Sequence, residues 1–298
     1  MHPIRKQRLQ LVILLVVAAS AIVGLTSTQI TALTTQQIFD LSIKTVRALS
    51  TSQIASIETA DIVVLTQQSL ASLTSQQVQS LTTDQVSAFT SVQIASLDTV
   101  LVSALSSPQL GALSTVNLNK ISLAGFGILS SSQLSGLTTS QIKSLSTGEI
   151  ALFNISSLAG LSTTQIIALT SNQVRDLSTA TLRMLTTAQV AAIETGDIQV
   201  LGSESLAALS SDQVLALRTA QIFALTTQQI KDLSTTSLRM LSTSQVAAIS
   251  TNNLVMLDWE AIDALKTDQI KALTTSQIVG LTTQQVSTLG TKTINALT

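Results

Sequence analysis

LTTSQIVG LTTQQVST, residues 273–288, says nearly the same eight-residue phrase twice. An α-helix turns every ~3.6 residues and a strand alternates every ~2, so neither regular element has this period. A period of eight describes a unit that begins again. With the frame set at Leu25, 34 octads follow one another to Ala296 without an insertion. Position one is always Leu, Ile or Phe, and position six is Ile, Val, Leu or, once, Phe126. Position five is Gln in 19 octads. Ser or Thr holds position two in 25 octads and position three in 29. An uninterrupted frame of this kind is the mark of units stacked on one another.

LTTQQIFD, residues 33–40, reads as the start of a helix. Thr34 is a good N-cap, and Gln37 three residues on completes a capping box. Leu33 before the cap and Ile38 in the first turn make a hydrophobic staple. Where position two cannot cap, as at Glu58, Arg218 and Lys266, the following Thr59, Thr219 and Thr267 are expected to cap instead. Pro108 falls near a helix start, where its missing N–H costs little. A helix that restarts in each octad is too short to be stable alone, because nucleation is costly. It must be held by packing, with positions one, six and eight as the core face.

Two rival folds are weaker. In one long helix the apolar face would rotate by roughly 80° per octad, and no stripe would form. In a β-solenoid, positions one and six would point to opposite faces. The expected fold is therefore all-α, a solenoid of short capped helices, with the β-solenoid as the alternative. The number of octads in one coil is not set by the pattern.

A longer period overlies the octads. Residues 169–200 and 225–256 are near copies, seven octads apart, and 33–64 is a third copy. Octads without Gln recur at the same places: Thr45, Thr181 and Ser237 in one type, Asp61, Asp197 and Asn253 in another. Duplication of a block of octads accounts for this, and so would a ligand of matching spacing.

The chain has 10% charged and 2% aromatic residues, a net charge of −1, one His and no Cys. It carries neither the basic footprint nor the stacking aromatics of a nucleic-acid binder. The absence of Cys removes disulfides and thiolate metal sites. Residues 1–24 differ from the rest. Arg5, Lys6 and Arg8 precede a mostly apolar run from Leu11 to Leu25, and Ala19-Ser20-Ala21 fits a cleavage site. The expectation is a signal peptide over 1–24, or an uncleaved inner-membrane anchor through 11–25, ahead of a repeat domain over 25–298.

Catalytic and metal-binding constellations are not evident. His2 is the only histidine, and no serine has a partner base. The expectation is a non-enzyme without cofactor or metal. Two weaker candidates for partner binding stand out. Trp259, flanked by Asp258 and Glu260 and near Asp263, reads as an anchor or cation site, or as a cap with a solvated face. Arg175, Arg183, Lys231 and Arg239 all occupy position seven and read as a basic strip for an acidic glycan, or as surface charges. Ranked Thr and Ser hydroxyls add a minor reading, ice binding.

The LTTxQIxA octads resemble the repeats of large bacterial exported and cell-surface proteins of the adhesin-like kind. The resemblance covers residues 25–298 and implies an exported structural or adhesive scaffold at the cell envelope or surface. It implies no catalytic residue. The alternative function is a glycan- or peptide-binding solenoid. Expected partners are a second copy docked end to end, a surface glycan or an envelope protein.

Overall fold

The computed structural model describes residues 22–153, 155–287, 290 and 294. The expected leader lies almost wholly outside the described residues. Among the described residues no helix is long and apolar enough to cross a membrane.

Among the described residues, each octad from Leu25 to Ser287 folds as one helix of four to six residues, and an extended link joins it to the next. Helix Thr35–Phe39 shows the design. Thr34 is the N-cap in extended conformation, its hydroxyl accepts from the Gln37 N–H, and the Gln37 side chain accepts from the Thr34 N–H. The described residues contain helices and no strand. The all-α solenoid is thus the fold, and the β-solenoid is excluded. Position-one and position-six side chains fill the core from Ile30 and Leu33 through Ile270 and Leu273, each at most 7% exposed. Fully burying an aliphatic side chain contributes about 1.5–3 kcal/mol, which offsets the poor stability of a single-turn helix.

Two expectations about the octad are corrected. Position eight is not generally a core position: Ala48, Ser56 and Ala88 are half-buried, although Ala104 is buried. The core instead admits the polar position five, with Gln77, Gln85 and Gln141 no more than 3% exposed. Also, Thr59, Thr219 and Thr267 do not take over the cap. Each is the first residue of its helix, behind Glu58, Arg218 or Lys266, none of which makes a side-chain cap bond. At Arg218 and Lys266 the Gln carbonyl alone holds the helix start, accepting from their N–H groups at 2.7 and 2.8 Å.

The number of octads per coil is set by the buried Gln. Gln85 Oε1 accepts from the Thr82 N–H at 2.9 Å, while Nε2 donates to the carbonyls of Ile54 and Ile57 at 2.9 and 2.7 Å. Ile57 opens the octad that lies three octads before the one holding Gln85. Gln109, Gln141, Gln213 and Gln245 repeat the pattern, each 28 and 31 residues from its two acceptors. One coil is therefore three octads.

The described residues form two compact units, one from 22–145 and 152–160, the other from 146–151 and 161–287. Within each, a helix packs on the helix three octads away, which gives three parallel stacks. Coils approach closely in the first unit at Gly136 and Gly160. A Cβ on Gly136 would lie 2.6 Å from the Ser107 carbonyl oxygen, and one on Gly160 would lie 2.5 Å from that of Ser131.

These contacts set measurable costs. Gln85→Ala loses two buried acceptors and a cap and is expected to cost about 2–4 kcal/mol in urea unfolding. A cost no greater than the ~1 kcal/mol of a lost cap would mean that this Gln does not join the coils. Gly136→Ala should cost about 1–3 kcal/mol through overpacking. Gly127→Ala, where the new Cβ meets nothing within 4 Å, should be neutral or stabilising by the same measurement.

Candidate functional site

A three-octad coil assigns every exposed side chain to one of three stacks in its unit, and this rearranges the charges. Arg175, Arg183, Lys231 and Arg239 are all exposed. Arg183 and Lys231 share the stack of helices Thr179–Met184, Ser203–Ala207 and Thr227–Lys231, two coils apart. Arg175 lies on a second stack, that of Ser171–Arg175 and Thr195–Ile198. Arg239 lies on the third, that of Ser211–Ala216, Thr235–Met240 and Trp259–Asp263. The expected basic strip is therefore corrected: the four cations are spread over three stacks. Arg175 is also drawn to Asp176 at 3.8 Å and hydrogen-bonds Asn172. Asp232, beside Lys231, is held below the usual carboxylate range by the Gln228 amide first, then by the Ser203 hydroxyl and the Lys231 charge. Gln228 Nε2 donates to it at 2.9 Å. A depressed pKa favours the carboxylate, so this contact is present at neutral pH and is lost as pH falls through the lowered value.

Trp259 is 38% exposed at the first position of its helix. Asp258 occupies the N-cap without a side-chain cap bond, and Glu260 is exposed in the first turn. Asp263 accepts from the Gly290 N–H at 3.1 Å, so it joins one coil to the next. Among the described residues no three His, Cys, Asp or Glu side chains converge as a metal site requires.

The position-five substitutes are also structural. Asn253 Nδ2 donates to the Leu225 carbonyl at 2.7 Å, and its Oδ1 accepts from the Thr227 hydroxyl at 2.9 Å. Asn117 does the same with Phe89 and Ser91. The shorter amide donates to one carbonyl of the previous coil instead of two, and its oxygen accepts from a hydroxyl of that coil in place of the N-cap N–H. Asp197 accepts from the Ser171 hydroxyl at 2.6 Å.

Sequence reasoning missed two surface features. The first is an open apolar groove lined by Thr195, Thr219, Phe223, Ala224 and Ala248, where Phe223 is 66% exposed. The second is a charged face of the first unit. Lys44, Arg47, Lys120 and Lys143 are the only cations among its described residues, and all four lie on or just beyond one stack: Ile43–Ala48, Gln67–Ala71, Ser91–Ala95, Thr115–Leu118 and Thr139–Ser144. The acids of that unit, Asp40, Glu58, Asp61, Asp84 and Asp98, all belong to the other two stacks. The signal was present in the sequence as spacing in multiples of the coil, and it is readable only once the coil length is known.

The ALTTAQ repeat family matches residues 54–91, 190–227 and 262–298. The chain is thus similar to a repeat-protein family over three separate stretches. A comparison with curated proteins returns no match.

Trp259 is the single tryptophan, so fluorescence reports on its face alone. Its half-exposed position predicts an emission that acrylamide quenches partly at low protein concentration. An emission wholly inaccessible to acrylamide under those conditions would contradict the exposure described.

Proposed function

We propose that the protein is a non-enzymatic repeat scaffold, exported to the cell envelope or surface, that spaces or presents what it carries. The repeat architecture and the ALTTAQ similarity support the scaffold. The leader read in residues 1–24 supports export. The observation that carries the reading is the fate of the duplicated block. Residues 169–200 and 225–256 are near copies offset by seven octads, and both lie in the second unit. Seven is not a multiple of three, so the second copy is turned by one stack. Arg175 and its counterpart Lys231 accordingly lie on different stacks, as do Arg183 and Arg239. A ligand matched to the duplicated side chains would meet them on different sides of the solenoid. What duplication preserves is the core and the buried position-five bonds between coils.

The second reading is a binding module. The apolar groove around Phe223 supports it, with a peptide or glycan as the occupant.

Deletions separate the two readings. Removing residues 209–216 deletes one octad, leaves the octad frame unbroken and turns everything downstream by one stack, so Thr195 and Phe223 no longer face one groove. Removing residues 161–184 deletes three octads, one full coil, upstream of the groove and leaves the groove residues in their register with one another. For a scaffold, both deletions leave surface display and presentation of a C-terminal tag intact. For a binding module, the single-octad deletion abolishes ligand capture and the full-coil deletion spares it. Export is tested by the intact mass of protein recovered from fractionated cells. A mass lacking roughly the first 21 residues, in the periplasm or medium, fits cleavage by a signal peptidase. Full-length protein in the cytosol would overturn export.

A further inference from the structure

We propose that the basic face of the first unit docks on the acidic stack of the second unit of another copy of the chain, so that copies associate side by side. The basic face carries Lys44, Arg47, Lys120 and Lys143, and no acid. All four are exposed, and among the described residues the only ion pair is Arg175–Asp176, so none of them is neutralised there. Exposed apolar side chains lie among them: Ile43 at 47%, Val92 at 58% and Val116 at 62%.

The complementary surface belongs to the second unit. Its stack of helices Ser211–Ala216, Thr235–Met240 and Trp259–Asp263 bears Asp212, Asp258, Glu260 and Asp263 against the single cation Arg239. This surface also carries exposed apolar groups, Leu215 at 46% and Trp259 at 38%. Each surface therefore offers one dominant sign of charge with apolar groups between the charges, and the signs are opposite. Potentials arranged in this way steer association and set register. An unlike partner is not required, because the chain supplies both halves.

The expected strength is modest. The acidic surface is the smaller of the two: three stacked helices at a spacing of about 9 Å, each about 10–12 Å across, offer on the order of 300 Å² per copy. That is below the size of a standard specific interface and defines a weak, transient contact. Association should therefore depend on concentration and fall steeply with salt, since exposed charges are screened within ~30 Å at 0.01 M and ~3 Å at 1 M.

The test is sedimentation velocity of the full chain at low and high salt. The wild type should sediment faster than a monomer at about 0.01 M salt and as a monomer at about 1 M. Reversal of the basic face (K44E, R47E, K120E, K143E) should weaken low-salt association by about 10-fold or more. Combining it with D212K, D258K and E260K should restore association. The repeat carries its own precedent for two of these changes: Lys266 and Arg218 occupy the place of Asp258, and Glu260 and Glu204 the place of Lys44. Helical circular dichroism confirms that each variant folds. A monomer at low salt, or association that ignores both salt and charge reversal and so reflects end-on stacking, would overturn the proposal. So would a chain that stays monomeric yet binds phosphatidylglycerol vesicles through the same four cations.

Discussion

One buried amide joins every level of this fold. The position-five Gln of a central coil accepts a hydrogen bond from the N-cap N–H of its own octad and donates two to carbonyls of the previous coil. A primary amide has two donors and one acceptor oxygen, and all are used. The acceptors answer a need of the backbone. Position one lies in the extended link and has no helical partner for its carbonyl, whereas the position-six carbonyl already accepts from the next position-one N–H and takes the Gln as a second donor. A buried position-one carbonyl without a partner would cost on the order of 1–3 kcal/mol. The side chain that starts a helix thus also finishes the one beneath it.

This economy explains why the octad tolerates so much variation outside a few positions. Gln needs a neighbour whose backbone carbonyls are in the right place, and every octad offers the same backbone. Any octad can therefore stack on any other, and blocks can duplicate without regard to face. The exceptions show the limit. Asn117 and Asn253 are one methylene shorter, reach one carbonyl instead of two, and recruit a hydroxyl from the previous coil. Gly136 and Gly160 occur where coils come so close that even a methyl group would strike backbone. The core stays regular while the surface drifts.

The helix itself is legible from Thr34, Gln37, Leu33 and Ile38, because capping and stapling are contacts within five or six residues. The pattern misleads where a residue has a second partner far away. Gln reads as a cap and not as a buried bridge, since its Nε2 contacts lie 28 and 31 residues off. Thr219 reads as a substitute cap because Arg218 has no hydroxyl, whereas Gln221 alone holds that helix start. Arg175, Arg183, Lys231 and Arg239 look like a strip because they share position seven, and position in the octad says nothing about the stack. The cations Lys44, Arg47, Lys120 and Lys143 do not all share an octad position and look unrelated, yet they share one stack.

By itself the sequence determined the unit: an octad, a capped single-turn helix, and a core of positions one and six. These are fixed by local hydrogen bonds and by apolar patterning that any eight residues display. Only the tertiary structure decided that three octads close a coil. That number depends on the angle between successive helices and on carbonyls presented by a distant part of the chain, and no local pattern encodes either. With the coil length came the stacks, and with the stacks came the separation of charge in the first unit.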